Sequence, residues 1–158
     1  MITNIRKPGA QDLNYILDID LKCFEDTWPH TKWRETVRDP NYGMLIGTYQ
    51  GLPVGFIVWS NDGVIARLAV KPTYRNKGVG SQLLAAVEVI FSQQTILEVK
   101  FPITESLCQP GVSYDMSHWL TNRGYRANGL IKGAGWFSDT KEDQIKFHKF
   151  LEGSTKHG

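Results

Sequence analysis

IARLAVKPTYRNKGVGSQLLAAVEVIF, residues Ile65 to Phe91, reads as an apolar strand, a basic loop with two glycines, and an amphipathic helix. In the helix Val79, Leu83, Leu84, Val87, Ile90 and Phe91 recur at spacings of three and four, so one face packs on a sheet. The junction Arg75-Asn76-Lys77-Gly78-Val79-Gly80 opens the helix with backbone amides that no side chain obstructs. The first turn of a helix leaves its N–H groups unpartnered, and the dipole makes that end positive. With two glycines and two cations beside it, the site suits a pyrophosphate. The plainer alternative is an ordinary strand-to-helix turn, where glycine pairs are common. Dinucleotide and P-loop motifs fit less well. Leu83 stands where the third glycine of G-x-G-x-x-G belongs, and no Gly-Lys-Ser/Thr occurs.

Working outward, Ile2 to Arg6 is a short candidate strand, broken by Pro8 and Gly9. Ala10 to Cys23 carries Leu13, Ile16, Leu17 and Leu21 at helical spacing, with Ile19 and Phe24 nearby. A second helix is predicted over Thr31 to Arg38, with Thr31 as N-cap, ending where Asp39 precedes Pro40. Gly43 to Tyr49, Val54 to Ser60 and Val64 to Val70 read as a three-stranded meander with turns at Gln50–Pro53 and Asn61–Gly63. Thr95 to Phe101 is the next strand, parallel to Val64–Val70 because a helical crossover joins the two. Pro102 to Gly111 reads as loop, Ser113 to Arg123 as a short helix closed by Gly124, and Gln144 to Phe150 as a final strand.

Composition narrows the function. The chain has 158 residues, suited to one core, a net charge of +2 and 41% apolar residues. Lys and Arg are dispersed, which gives no case for a nucleic-acid partner. No apolar run approaches the ~20 residues of a membrane span, and the N-terminus has no apolar signal core. Cys23 and Cys108 lie far apart without metal-type spacing. They read as thiols in a reducing cytoplasm, with a disulfide between them as the alternative. No metal site is predicted.

Arg75-x-x-Gly78-x-Gly80, after an apolar strand and before a helix, resembles the Q/R-x-x-G-x-G/A signature of the GNAT acetyltransferases. The resemblance extends more loosely from about Thr3 to Tyr125. It implies one α/β domain over 1–152, with a tail at 153–158. The sheet would be mixed, mostly antiparallel and flanked by helices, with splayed parallel central strands holding acetyl-CoA. By this resemblance the backbone of Leu68, Ala69 and Val70 meets the cofactor's pantetheine, and the Leu68 amide polarises the thioester carbonyl. Arg75, Asn76, Lys77, Gly78, Val79, Gly80 and Ser81 hold the pyrophosphate. The partners implied are acetyl-CoA and an amine, in a monomer or homodimer.

Acetyl transfer to an amine needs a neutral nucleophile, a polarised carbonyl and a stabilised leaving thiolate. Glu98, in Ile96-Leu97-Glu98-Val99-Lys100, resembles the proposed base of the ribosomal-protein alanine N-acetyltransferases. An acid among Ile96, Leu97 and Val99 is costly to bury without a partner. The alternative is a strand carboxylate paired with a surface lysine. Asp62 is a second candidate base, or simply a turn former. Relatives carry an acid tyrosine four residues before the Gly-Phe that Gly124-Tyr125 matches, and Leu120 stands there. Tyr114 is a candidate substitute acid, or simply a partly exposed tyrosine in a loop or helix start, with Tyr125 and Cys108 as further options. Cys23-Phe24-Glu25-Asp26-Thr27-Trp28 resembles the segment bordering the peptide groove in the same enzymes. Trp28, Trp33 and Trp136 are candidate walls of the acceptor site, or packing residues. Glu25 and Asp26 are candidates to attract a cationic amine, or a solvated helix end. The reading is an acetyl-CoA-dependent N-acetyltransferase acting on a protein N-terminal amine. The alternatives are a small-molecule amine acetyltransferase of the polyamine or aminoglycoside kind, and an inactive CoA-binding module.

Overall fold

In the computed structural model, which describes residues 3–24, 27–104, 116–131 and 143–151, the quoted stretch forms β4 (Val64–Val70), a single 3-10 turn at Pro72–Tyr74 and α3 (Val79–Gln93). Seven strands form a mixed sheet ordered β1-β2-β3-β4-β5-β7-β6. The chain divides into two compact units, residues 1–61 with 67–90 and residues 62–66 with 91–158. Strand β4 therefore gives its start to the second unit and its end to the first.

In the first unit β1 (Asn4–Arg6), β2 (Tyr42–Tyr49) and β3 (Leu52–Ser60) are antiparallel neighbours. The β2–β3 hairpin closes through Gln50 (φ 52°) and Gly51 (φ 83°), the paired left-handed residues of a tight two-residue turn. That turn, together with the bulge at Gly47/Thr48 that shifts the register by one residue, sets Gly47 opposite Gly55. A 3-10 turn at Ala10–Asp12 runs into α1 (Leu13–Cys23). The buried stripe is Asp12, Ile16, Ile19 and Asp20, while Leu21 is 67% exposed, so the face turned inward is not the Leu13–Leu17–Leu21 one. Helix α2 (His30–Arg38) starts before the predicted cap: Pro29, not Thr31, precedes the first turn, and Trp33 N–H donates to Pro29 O. Asp39 ends it in extended backbone, as a residue before proline should.

The buried face of α1 carries a charge. Asp20 Oδ2 accepts the Trp28 backbone N–H at 2.9 Å and Trp33 Nε1 at 3.3 Å, and Oδ1 accepts Arg67 Nη1 at 2.5 Å. Asp20 and Arg67 are 1% and 5% exposed, so one carboxylate links α1, α2 and β4 inside the core. Trp33 packs edge-on against Phe56 at 5.1 Å and tilted against Trp28 at 4.5 Å, filling the space around it.

In the second unit β5 (Glu98–Thr104) lies antiparallel to β7 (Gln144–Phe150), which pairs on its other side with β6 (Arg126–Ile131). The start of β4 meets β5 in parallel, Val64 opposite Lys100, with Lys100 N–H donating to Gly63 O at 2.8 Å. Strand β5 begins at Glu98, three residues after the predicted start. Thr95 is left-handed (φ 58°) and Ile96 N–H reaches back to Phe91 O, closing the end of α3. Helix α4 (Met116–Thr121) ends as predicted at Gly124 (φ 90°), where Tyr125 N–H donates to Leu120 O. The expectations at 105–115, 132–142 and 153–158, including the tail, lie outside the described residues. Among the described residues no helix is long and apolar enough to cross a membrane.

Replacing Asp20 by alanine removes the carboxylate shared by the buried Arg67 guanidinium and two tryptophan donors. Chemical denaturation should show a loss of about 3–5 kcal/mol, and a midpoint close to that of the parent protein would contradict this account.

Candidate functional site

The loop after β4 is shaped by two left-handed residues, Asn76 (φ 61°) and Gly78 (φ 90°), on either side of Lys77. All three are exposed. A Cβ added at Gly78 would meet nothing within 4 Å, so glycine is required there for its backbone conformation and not for want of room. Gln82 N–H takes Gly78 O as the first helical bond at 3.0 Å. The N–H groups of Val79, Gly80 and Ser81 thus occupy the first turn, where helices supply no acceptor of their own. The Val79 side chain is 1% exposed, so that residue offers a ligand only its backbone.

Val79 is what seats the helix. Its Cγ1 lies 3.2 Å and 3.3 Å from where Cβ atoms would stand on Gly47 and Gly55, the facing pair of the β2–β3 hairpin. Two missing side chains make the notch that receives one buried valine. Leu83, Leu84, Val87 and Phe91 continue the buried stripe, and Ile90 is half-buried.

Arg75 folds back from the loop onto the strand it follows. Its Nε donates to Val70 O at 3.0 Å and its Nη2 to Cys23 Sγ at 3.3 Å, while the Cys23 thiol donates to Val70 O at 3.4 Å. The carbonyl that ends β4 is thereby gripped twice, and the guanidinium stays at the base of the loop. Burial raises the Cys23 pKa above its ordinary 9.0, the nearby Arg75 opposing in part. The thiol is protonated at neutral pH and unsuited to nucleophilic attack. On β4 Leu68 is half-buried, and Ala69 and Val70 are buried.

Glu98, the candidate base, opens β5 and is about a third exposed, with Oε2 3.1 Å from His148 Nδ1 on β7. Its partner is thus a histidine, not a surface lysine. The His148 ring stands edge-on to Phe150 at 5.1 Å. Tyr114, Trp136, Cys108, Glu25 and Asp26 lie outside the described residues. Leu120 is fully buried, and Tyr125 is 1% exposed beneath the Lys149 ammonium, 5.6 Å from the ring centre; both are core residues. Asp62 sits exposed in the turn before β4. Trp28 is 4% exposed, with Lys32 Nζ 4.3 Å over its ring, and its indole Nε1 has no hydrogen-bond partner among the described residues.

Two elements of the arrangement escaped the sequence reading. Arg67 inside Ile65-Ala-Arg-Leu-Ala and Asp20 beside Ile19 were charges in apolar company, and that was the available signal of a buried pair. His148 gave no such signal, because its link to Glu98 depends on the register between β5 and β7.

With this geometry in hand, the family model described as the acetyltransferase (GNAT) family matches residues 13–104, more than half of the chain. Solved structures share the fold. The ribosomal-protein-S18-alanine N-acetyltransferase of Escherichia coli has a TM-score of 0.79 at 14% identity, over 97% of this chain and 96% of its own. Ard1 of Thermoplasma volcanium gives 0.80 at 18% identity over 96% and 99%. Naa50 of Arabidopsis thaliana, in complex with the bisubstrate analogue CoA-Ac-MVNAL, gives 0.73 at 17% identity over 94% and 99%. No curated protein sequence matches the chain.

Two outcomes are expected. In Gly55→Ala the new methyl would stand 2.8 Å from Ala69 O and 3.3 Å from Val79. Overpacking of about 1–3 kcal/mol should shift the end of β4 together with the start of α3 and weaken CoA binding by calorimetry; unaltered affinity would refute the close packing of Gly55 against both. In a Cys108→Ser background, iodoacetamide should label Cys23 with a half-maximal rate above pH 9.0, the ordinary thiol value. Rapid labelling at neutral pH would contradict the placement of the thiol.

Proposed function

The chain belongs to the GNAT acetyltransferase family, and from that premise we propose that it transfers the acetyl group of acetyl-CoA to a protein N-terminal amine. The observation that carries the reading is the exposed left-handed turn at Asn76–Gly78 feeding a helix start. Backbone donors and a positive helix end meet there with Lys77, and Arg75 stands at the loop's base, a combination suited to a pyrophosphate. Leu68, Ala69 and Val70 would face the pantetheine along β4. The acceptor class follows the relatives: one is named for ribosomal-protein alanine, and another binds a CoA–peptide conjugate. Trp28 is proposed as a wall of the acceptor site on the strength of the family resemblance of its loop. Trp136 is proposed as a further substrate contact.

The chemistry is a direct displacement. Acetyl-CoA supplies an activated acyl group. Glu98, directly or through water, takes a proton from the ammonium so that the amine lone pair attacks the thioester carbonyl. The Leu68 N–H stabilises the oxygen as it gains charge. The C–S bond breaks, the C–N bond remains, and the sulfur leaves as CoA thiol with a proton from Tyr114; the nitrogen, protonated on attack, gives up its second proton to the Tyr114 phenolate through water, which leaves a neutral amide. No covalent enzyme intermediate is needed, and the protonated Cys23 argues against one.

We place this activity in one domain over 1–152 of a cytoplasmic monomer or homodimer, with no nucleic-acid or membrane partner. A second reading, a CoA-binding module without catalysis, is favoured by one observation. Leu120 is fully buried where relatives carry their acid tyrosine. Free-thiol release from acetyl-CoA, measured over a panel of peptides and small amines, separates the two. Turnover is expected on peptides, and Glu98→Gln should lower kcat by roughly 100-fold or more with little change in CoA affinity. The deficit should shrink as pH rises and neutral amine becomes abundant. Saturable CoA binding with no release across the panel would establish the module instead, and undiminished turnover in Glu98→Gln would remove the base.

A further inference from the structure

The sheet face that carries Glu98 is strongly cationic. The β5–β7 register sets Lys100 opposite His148, and the β6–β7 register sets Arg126 opposite the same histidine. Lys146, two residues before His148, shares that face by alternation. Four basic side chains on three adjacent strands thus share a face with one carboxylate, Glu98 at the start of β5, whose Oε2 is 3.1 Å from His148 Nδ1, while Lys146 lies further along, opposite Pro102. Lys100 and Lys146 are half-buried, His148 is 17% exposed and Arg126 is exposed, so Lys100, Lys146 and Arg126 reach solvent on this face. The opposite face, with Val99, Phe101, Ile103 and Phe147, is buried. Lys100, Arg126 and Lys146 thus concentrate positive charge on one side of three strands. Among the described residues Lys100, Lys146 and Arg126 have no carboxylate partner to relieve this.

We propose that this face selects the acceptor by charge, and that the acceptor is a peptide N-terminus followed by acidic side chains. The inference rests on the reading that Glu98 serves the acceptor amine. A Glu98 that takes a proton from the amine stands two residues from Lys100, about 7 Å along the strand. An extended peptide spaces its side chains on the same scale, so carboxylates at its second to fourth positions reach Lys100, Arg126 and Lys146. The same row repels polyamines and aminoglycosides, whose charge is positive throughout.

The test is kcat/KM by thiol release on three matched peptides beginning Ala-Glu-Glu-Glu, Ala-Ala-Ala-Ala and Ala-Lys-Lys-Lys, with spermidine as a fourth acceptor. The acidic peptide should exceed the neutral one by roughly tenfold or more at low salt, with the basic peptide and spermidine below both. Added salt should narrow the gap in the wild-type protein. In the triple variant K100A/R126A/K146A, shown folded by circular dichroism, the acidic-to-neutral ratio should approach one. Equal rates on the three peptides, a preference that survives both salt and the triple variant, or spermidine as the best acceptor would overturn the proposal. Failure of the underlying reading shows separately. Glu98→Gln that leaves turnover of the neutral peptide unchanged removes the base, and absence of turnover on every peptide removes the peptide acceptor along with this inference.

Discussion

A single buried carboxylate organises the first unit. Asp20 accepts from a backbone amide, an indole and a guanidinium, and each donor belongs to a different part of the chain. Removing any one donor leaves an ionised group short of hydrogen bonds where water cannot replace them. The ion pair adds little net stability beyond what an apolar trio would supply. It fixes which residue of α1 faces Arg67 on β4, and so fixes how the helix pair lies on the strands. The strand thus held is the one that ends at Val70, where the loop begins.

The second constraint is steric. Gly47 and Gly55 are paired in register, and Val79 descends into the space they leave. That contact fixes the height of α3 above the sheet at its first residue, exposing the Asn76–Gly78 turn while burying the helix. Arg75 closes the other side by bonding to the last carbonyl of β4. The amide donors of the first turn are thus held from below by packing and from behind by a guanidinium. A loop fixed in this way would lose little conformational freedom on taking up the anion proposed for it.

Much of this was legible in the residues alone, for identifiable reasons. The stripe of α3 obeys a 3.6-residue period and needs no tertiary knowledge. Gly78 and Gly124 occupy left-handed positions, and glycine announces such positions. Legibility failed where an uncommon residue took a common role. Thr95 ends α3 in the left-handed region, so no glycine marked the boundary and β5 was expected too early. Leu21 looked like core, but Asp12 and Asp20 turned the inward face of α1 to include charges. Strand β6 is not legible in the sequence because Arg126 to Leu130 are exposed and Gly129 (φ 107°) interrupts its alternation. At the candidate site, the loop was readable because its shape is set by backbone conformation at Asn76 and Gly78. The Glu98–His148 pair was not, because it exists only through strand register.

The hairpin turn at Gln50–Gly51 lies at a distance in sequence from every residue assigned to a ligand, yet its length is under the same constraint as the loop. Pleating alternates sides at each residue, so inserting or deleting one amino acid in that turn would slide β2 against β3. Ile46 or Thr48 would then move toward the place Gly47 holds, and the hollow for Val79 would fill with a side chain. Tolerance to insertion, usual in surface hairpins, is therefore forfeited here, and natural length variation in this chain's relatives should be sparse at this tip.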